Sequence, residues 1–169
     1  MAPTATGRIV TDRTAVTVAE HGAMNEPFHA GLIALYDRGG WKGVLIEGDS
    51  GSGKSDLALR CLSRGFRLVA DDRTRLWVSD GRLFGCAPEP LDGLIELRGL
   101  GVLPEPARRL AEVRLVVRCL EPAASLERMP DRDTRVLMGV TLPRVAVRPL
   151  EASAPEKVAR ALSLLGGGA

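Results

Sequence analysis

Aromatic residues make up only 4% of this 169-residue chain, which leaves little for stacking along a single-stranded nucleic acid. Its three cysteines, Cys61, Cys86 and Cys119, are an odd number at wide spacing. That pattern suits neither a disulfide framework nor the close pairs of a structural zinc site, and it predicts buried or half-buried thiols without chemistry. The two histidines, His21 and His29, stand at no zinc-ligating spacing from each other or from a cysteine. Neither sign of charge dominates. The 23 Lys and Arg against 21 Asp and Glu leave +2, too small a surplus to predict a nucleic-acid partner from bulk electrostatics. No apolar run is long enough to span a bilayer, and Arg8, Asp12 and Arg13 interrupt the stretch where a secretory signal needs its apolar core. The expected location is therefore the cytoplasm, with no membrane partner.

What is present, 45% hydrophobic and 26% charged residues, suits one compact domain with a real core. The expected organisation is a loose lead-in over residues 1–13, a single domain over 14–165 and a flexible glycine tail over 166–169. Strand-like alternation appears at 14–18. A second apolar stretch, 28–36, ends in the turn Asp37-Arg38-Gly39-Gly40, which reads as a hairpin or meander. Val44-Leu45-Ile46, a glycine-rich loop and helical spacing over 56–64 then read strand, loop, helix, with Gly65 at the C-cap position and an apolar strand over 66–70. Strands flank Ser79-Asp80-Gly81 as a second hairpin, and more are expected at 94–97 and 113–119. The charged, proline-bearing stretch 121–134 reads as a loop enclosing one helical turn near 124–128. Pro143 is expected to break 136–147, and 155–165 forms a closing helix. The class is α/β with a mixed sheet.

Gly48-Asp49-Ser50-Gly51-Ser52-Gly53-Lys54-Ser55 completes the pattern glycine, four residues, glycine, lysine, serine of a phosphate-binding P-loop (Walker A). Its context, after an apolar strand and opening a helix, aims successive backbone N–H groups and the helix N-terminus at phosphates. Lys54 supplies a point charge for the outer phosphates, and the Ser55 hydroxyl is a magnesium ligand. Asp71 and Asp72 end the next strand. In a parallel sheet that strand would reach the carboxyl edge beside the loop, where one acid serves magnesium and the other takes a proton from a hydroxyl. Glu96 and Arg98, alternate residues of Ile95-Glu96-Leu97-Arg98-Gly99-Leu100-Gly101, would share one face of a strand.

The P-loop, the Leu68-Val69-Ala70-Asp71-Asp72 segment and the Ile95–Gly101 segment, in this order and spacing, resemble the catalytic domain of the HPr kinase/phosphorylase family over about residues 14 to 150. The chain is similar to the short form of that family found in alphaproteobacteria. The resemblance implies a phosphoenolpyruvate carboxykinase-like nucleotide-binding fold and a serine protein kinase that phosphorylates the phosphocarrier protein HPr from ATP with Mg2+. It also implies reversal by orthophosphate with release of pyrophosphate, and a homo-oligomer, hexamers being common in the family. Carried over residue by residue, Lys54 and Ser55 contact phosphate and magnesium, Asp72 is general base and, in reverse, general acid, and Asp71 supports it. Glu96 matches a metal-binding glutamate and Arg98 its active-site neighbour, while His29 in Phe28-His29-Ala30-Gly31 resembles the histidine that opens the catalytic domain. Arg128, in Leu126-Glu127-Arg128-Met129, resembles the arginine of a mobile substrate loop, and 140–148 the stretch associated with dephosphorylation. Two other functions remain open at this level: a P-loop kinase of a small hydroxyl metabolite and a nucleotide-dependent regulatory binding protein.

Overall fold

Residues 26–121 and 123–167 are described in a computed structural model; the expected strand at 14–18, His21 and the lead-in lie outside the described residues. Strands β1 (Gly31–Asp37) and β2 (Gly40–Glu47) form an antiparallel hairpin in which Asp37 faces Gly40. Its two-residue turn, Arg38-Gly39, has φ of 43° and 94°, the left-handed pair that matches strand twist. Alternation then divides the side chains: Leu32, Ala34 and Leu45 enter one core layer, while Ile33, Val44 and Ile46 enter the other. Because both faces are buried, these strands read as nearly continuous apolar runs.

Helix α1 (Lys54–Leu62) follows, and strand β3 (Arg67–Ala70) returns antiparallel to β1 on its free side. A hairpin of β4 (Arg75–Ser79) and β5 (Arg82–Cys86) turns at Asp80-Gly81. Strands β6 (Leu94–Leu97) and β7 (Gly101–Pro104) form a small sheet of their own. Exposed Val102 and the ending in Pro104 hide β7 from a periodicity argument. Strands β8 (Ala111–Cys119), β9 (Asp133–Leu137), β10 (Val140–Val147) and helix α2 (Ala154–Leu165) complete the chain.

The main sheet runs β3-β1-β2-β8-β10-β9, and β5 also pairs with the start of β8. Strands β2, β8 and β10 are parallel neighbours, whereas β1 and β9 run against them. Both helices pack on one face through Leu57, Ala58, Cys61, Val158 and Leu162; Leu76 and Leu83 of the β4-β5 hairpin belong to the core of the opposite face. Simple alternation would put Val113, Leu115 and Val117 on one face. Register slips between Gly43 and Val44 as β2 passes β8, and a bulge at Arg114 sends Val113 to the hairpin side and Leu115 and Val117 to the helix side.

Other local expectations change. Pro143 lies inside β10 opposite Thr134, and the ladder to β8 begins only at Arg144; the break falls instead at Met138-Gly139, where φ is 49° and 80°. Residues 124–128 contain no helical turn, only the Ala124 N–H donating to Glu121 O at 3.0 Å before loop. Gly166, read as tail, is buried, and its N–H donates to Leu162 O at 2.9 Å, ending α2. Asp71 and Asp72 do not leave a strand paired directly beside the loop strand, because β1 intervenes. Since β1 opposes both β2 and β3, those two still end at the same edge, where β1 begins. That edge gathers the residues before β1 and after β2, β3, β8 and β10.

Candidate active site

The glycine-rich loop between β2 and α1 folds back tightly. A Cβ on Gly48 would lie 2.6 Å from Ser52 Oγ and 2.9 Å from Cys119 Cβ, and Gly53 caps α1 at φ 96°, so both positions need a residue without a side chain. The Lys54 side chain is 6% exposed, with Nζ donating to Gly48 O at 3.0 Å and Asp49 O at 3.1 Å. The same Nζ lies 3.4 Å from His29 Nε2 and 3.5 Å from Asp72 Oδ1. His29 Nδ1 is 3.5 Å from Asp72 Oδ1, so lysine, histidine and aspartate form one cluster around a single carboxylate oxygen.

Two tight turns point these side chains. The Arg73 N–H donates to Asp71 O at 2.6 Å around Asp72, whose φ is 56°. A three-residue turn with a left-handed centre is strained, and such strain collects at functional sites. It also separates adjacent carboxylates: Asp72 faces Lys54, whereas Asp71 accepts Ser55 Oγ–H at 3.0 Å and the Glu96 N–H at 2.9 Å. His29 sits in another three-residue turn, without a left-handed centre, in which the Ala30 N–H donates to Phe28 O at 2.9 Å. Buried Thr74 laces the two turns together, exchanging backbone hydrogen bonds with Phe28 at 2.7 and 2.9 Å and donating its hydroxyl to Ala30 O at 2.7 Å. Nothing in the sequence marked Thr74, because its partners are distant in the chain.

An open cleft of 590 Å³ runs from this cluster along α1, lined by Ser50, Gly51, Gly53, Lys54, Ser55, Asp71, Asp72, Glu96 and Arg98 among others. Arg98 is in the turn after β6 rather than on the strand, yet it reaches the cleft beside Glu96. Asp49 lies exposed in the loop, and Ser52 points beneath it, its Oγ buried and unpartnered among the described residues. Arg128 is exposed on the segment after β8 and is not among the residues lining the cleft.

Burial is the main cause holding the Asp71 carboxyl above its ordinary range; Asp72 and Glu96 add to the rise, and the hydrogen bonds from Glu96 N–H and Ser55 oppose it. The carboxylates of Asp71, Asp72 and Glu96 and the Ser55 hydroxyl, which line the cleft, are hard oxygen donors of the kind magnesium takes. Among the described residues no three His, Cys, Asp or Glu side chains converge into a ready cage. An ion that keeps its waters and draws ligands from phosphate fits that arrangement. Cys119, below the loop, is pushed up to about 11 by burial, and Cys61 to about 12; neither is a nucleophile in this state. No helix among the described residues is long and apolar enough to cross a membrane.

The family model described as HPr Serine kinase C-terminal domain matches residues 20–155. The HPr kinase/phosphorylase of Limosilactobacillus reuteri (strain DSM 20016) is 38% identical over 135 residues, covering 73% of this chain and 40% of that protein. That of Lacticaseibacillus casei (strain BL23) is 31% identical over 178 residues, covering 96% of this chain and 52% of that protein. The chain thus spans about half the length, or less, of these curated relatives. A solved structure, the Hpr(Ser) kinase/phosphatase from Coxiella burnetii, superposes with a TM-score of 0.70 at 24% identity, covering 82% of this chain and 95% of that one. At that identity the likeness speaks for the mixed α/β fold.

Proposed function

The chain belongs to the HPr serine kinase family, and from that premise we propose that it transfers the γ-phosphoryl group of ATP to a serine of the phosphocarrier protein HPr. The observation that carries this reading is the meeting, at one sheet edge, of the loop bearing Lys54 with the Asp72–His29 pair and the Ser55–Asp71 pair. The loop acts as a P-loop on a phosphoenolpyruvate carboxykinase-like sheet. Its N–H groups from Gly51 to Ser55 and the Lys54 ammonium hold the outer phosphates, for which Lys54 gives up the carbonyls of Gly48 and Asp49. Ser55 and Glu96 are the oxygen donors toward Mg2+, with Asp71 orienting the Ser55 hydroxyl. The ion they would hold would supply positive charge to offset the charge of the phosphates.

Asp72 accepts the proton of the HPr serine as its oxygen attacks the γ-phosphorus, and ADP leaves. His29 and Lys54 fix the direction of that carboxylate. Arg98, joined by Arg128 as the resemblance implies, balances charge on the transferred group. In the reverse direction an orthophosphate oxygen attacks phosphoserine, the serine oxygen leaves with the proton returned by Asp72, and pyrophosphate forms. We further propose, on the family resemblance alone, that the chain acts in the cytoplasm as a homo-oligomer, hexamers being common in the family.

The test is intact-mass measurement of purified HPr after incubation with the protein, ATP and Mg2+, then with excess orthophosphate. One added phosphoryl group that later disappears with pyrophosphate formation is the expected result. Asp72→Asn should lose transfer by about a thousandfold while keeping nucleotide binding, the size typical of a positioned base. Unmodified HPr with the wild-type chain, or undiminished transfer by Asp72→Asn, overturns the reading.

A further inference from the structure

Beyond the phosphate end, the cleft changes character. Along α1 its lining passes from Ser55 to Leu59, and the far walls are Leu97 and Leu100 of the β6-β7 hairpin and Leu150 of the loop between β10 and α2. Leu100 is 72% exposed and Leu150 68% exposed, an unusual outlay of aliphatic surface at the mouth of a charged site. Leu150 is held in place. Arg60, one turn along α1 from Asp56, donates Nε to Asp56 Oδ2 at 2.9 Å and Nη1 to Glu151 O at 3.0 Å, and its Nη2 reaches Pro149 O. On the other side the Pro149 ring presses the loop itself, its Cγ 3.1 Å from where a Gly53 Cβ would stand. The guanidinium fork therefore clamps Pro149-Leu150-Glu151 against the element that carries the phosphate loop.

Resting on the proposed function, we infer that Leu59, Leu100 and Leu150 seat the nucleobase of the phosphoryl donor by its faces, with Arg60 as the positioning residue that holds Leu150 over it. The occupant follows from continuity. A nucleotide whose phosphates lie on the glycine loop has its nucleoside along α1, away from the Asp72–His29 end where the acceptor enters. The cleft volume of 590 Å³ is that of a small-molecule site. Aliphatic carbons offer a base its faces without reading its hydrogen-bonding edge, so ATP and GTP are accepted within about threefold of each other, the discrimination available to apolar contact alone being small.

Calorimetric titration of ADP and of pyrophosphate, each with Mg2+, separates the two ends of the cleft without needing HPr. Leu150→Ala, at an exposed position, should weaken ADP about tenfold, as loss of one buried aliphatic contact implies, while pyrophosphate binds as before. Leu150→Phe should restore ADP binding. Arg60→Ala should reproduce the selective ADP loss, and Arg60→Lys should not rescue it, because one ammonium cannot span both carbonyls. Unchanged ADP affinity in Leu150→Ala, or an equal loss for pyrophosphate, overturns the base seat and leaves the phosphate loop standing. A wild-type chain that binds neither probe overturns both.

Discussion

Asp71 and Asp72 are adjacent, yet their surroundings assign them different work. Asp72 stands half-exposed against Lys54 and His29, whereas Asp71 is committed to Ser55 and to the β6 backbone. Burial raises the Asp71 carboxyl, so between its ordinary and raised values the unfolded chain has lost the proton that the native protein still holds. Stability therefore falls as pH rises through that window, and the penalty is complete above it. Asp71→Asn keeps an oxygen for the Glu96 N–H and an amide donor for Ser55 Oγ. It should raise the melting temperature at pH 7, with the gain shrinking as pH falls below the ordinary carboxylate range, where both states become protonated. A calorimetric melt with no gain at pH 7 would sink this account. The stabilised variant should also need more Mg2+ for activity, since it gives up a negative charge beside Ser55.

At the scale of the element, the loop between β2 and α1 is the most constrained segment. Ser52 and Cys119 occupy the space a side chain on Gly48 would take. Gly48→Ala should destabilise the protein by about 2 kcal/mol or more from overpacking and backbone strain together, measured as a lower urea midpoint, and should abolish pyrophosphate binding. A midpoint within error of wild type would show that the loop has room to shift. The hairpin β6-β7 is the opposite case. It pairs with no strand of the main sheet and is held at the site by the buried Ile95 together with the Glu96 N–H that donates to Asp71.

On the scale of the whole molecule, two apolar layers on either face of one sheet tie the site's backbone to the global fold. Cys61 and Cys119 both lie in the helix-side layer, held as thiols at about 12 and about 11. Cys86, half-buried at the end of β5, is raised less. A thiol reagent at pH 8 should therefore modify Cys86 slowly in the native protein and reach Cys61 and Cys119 only with global unfolding, at the denaturant concentration where helical circular dichroism is lost. Reaction of Cys119 under native conditions would mean that the floor of the loop opens independently.

The β1-β2 and β4-β5 hairpins, helix α1, the closing helix and the glycine spacing of the loop before α1 were legible in the sequence by itself, because apolar period, turn residues and glycine spacing act over a few neighbouring residues. What only the tertiary structure decided was which strands adjoin and what their ends bring together. β1 inserts between β2 and β3 and thereby aligns their ends. Thr74 laces the His29 and Asp72 turns, and Arg60 reaches carbonyls on the far side of the chain. Such contacts join residues far apart in sequence, so no local pattern encodes them; they are selected by which faces must be buried and which polar groups must be satisfied once the sheet closes.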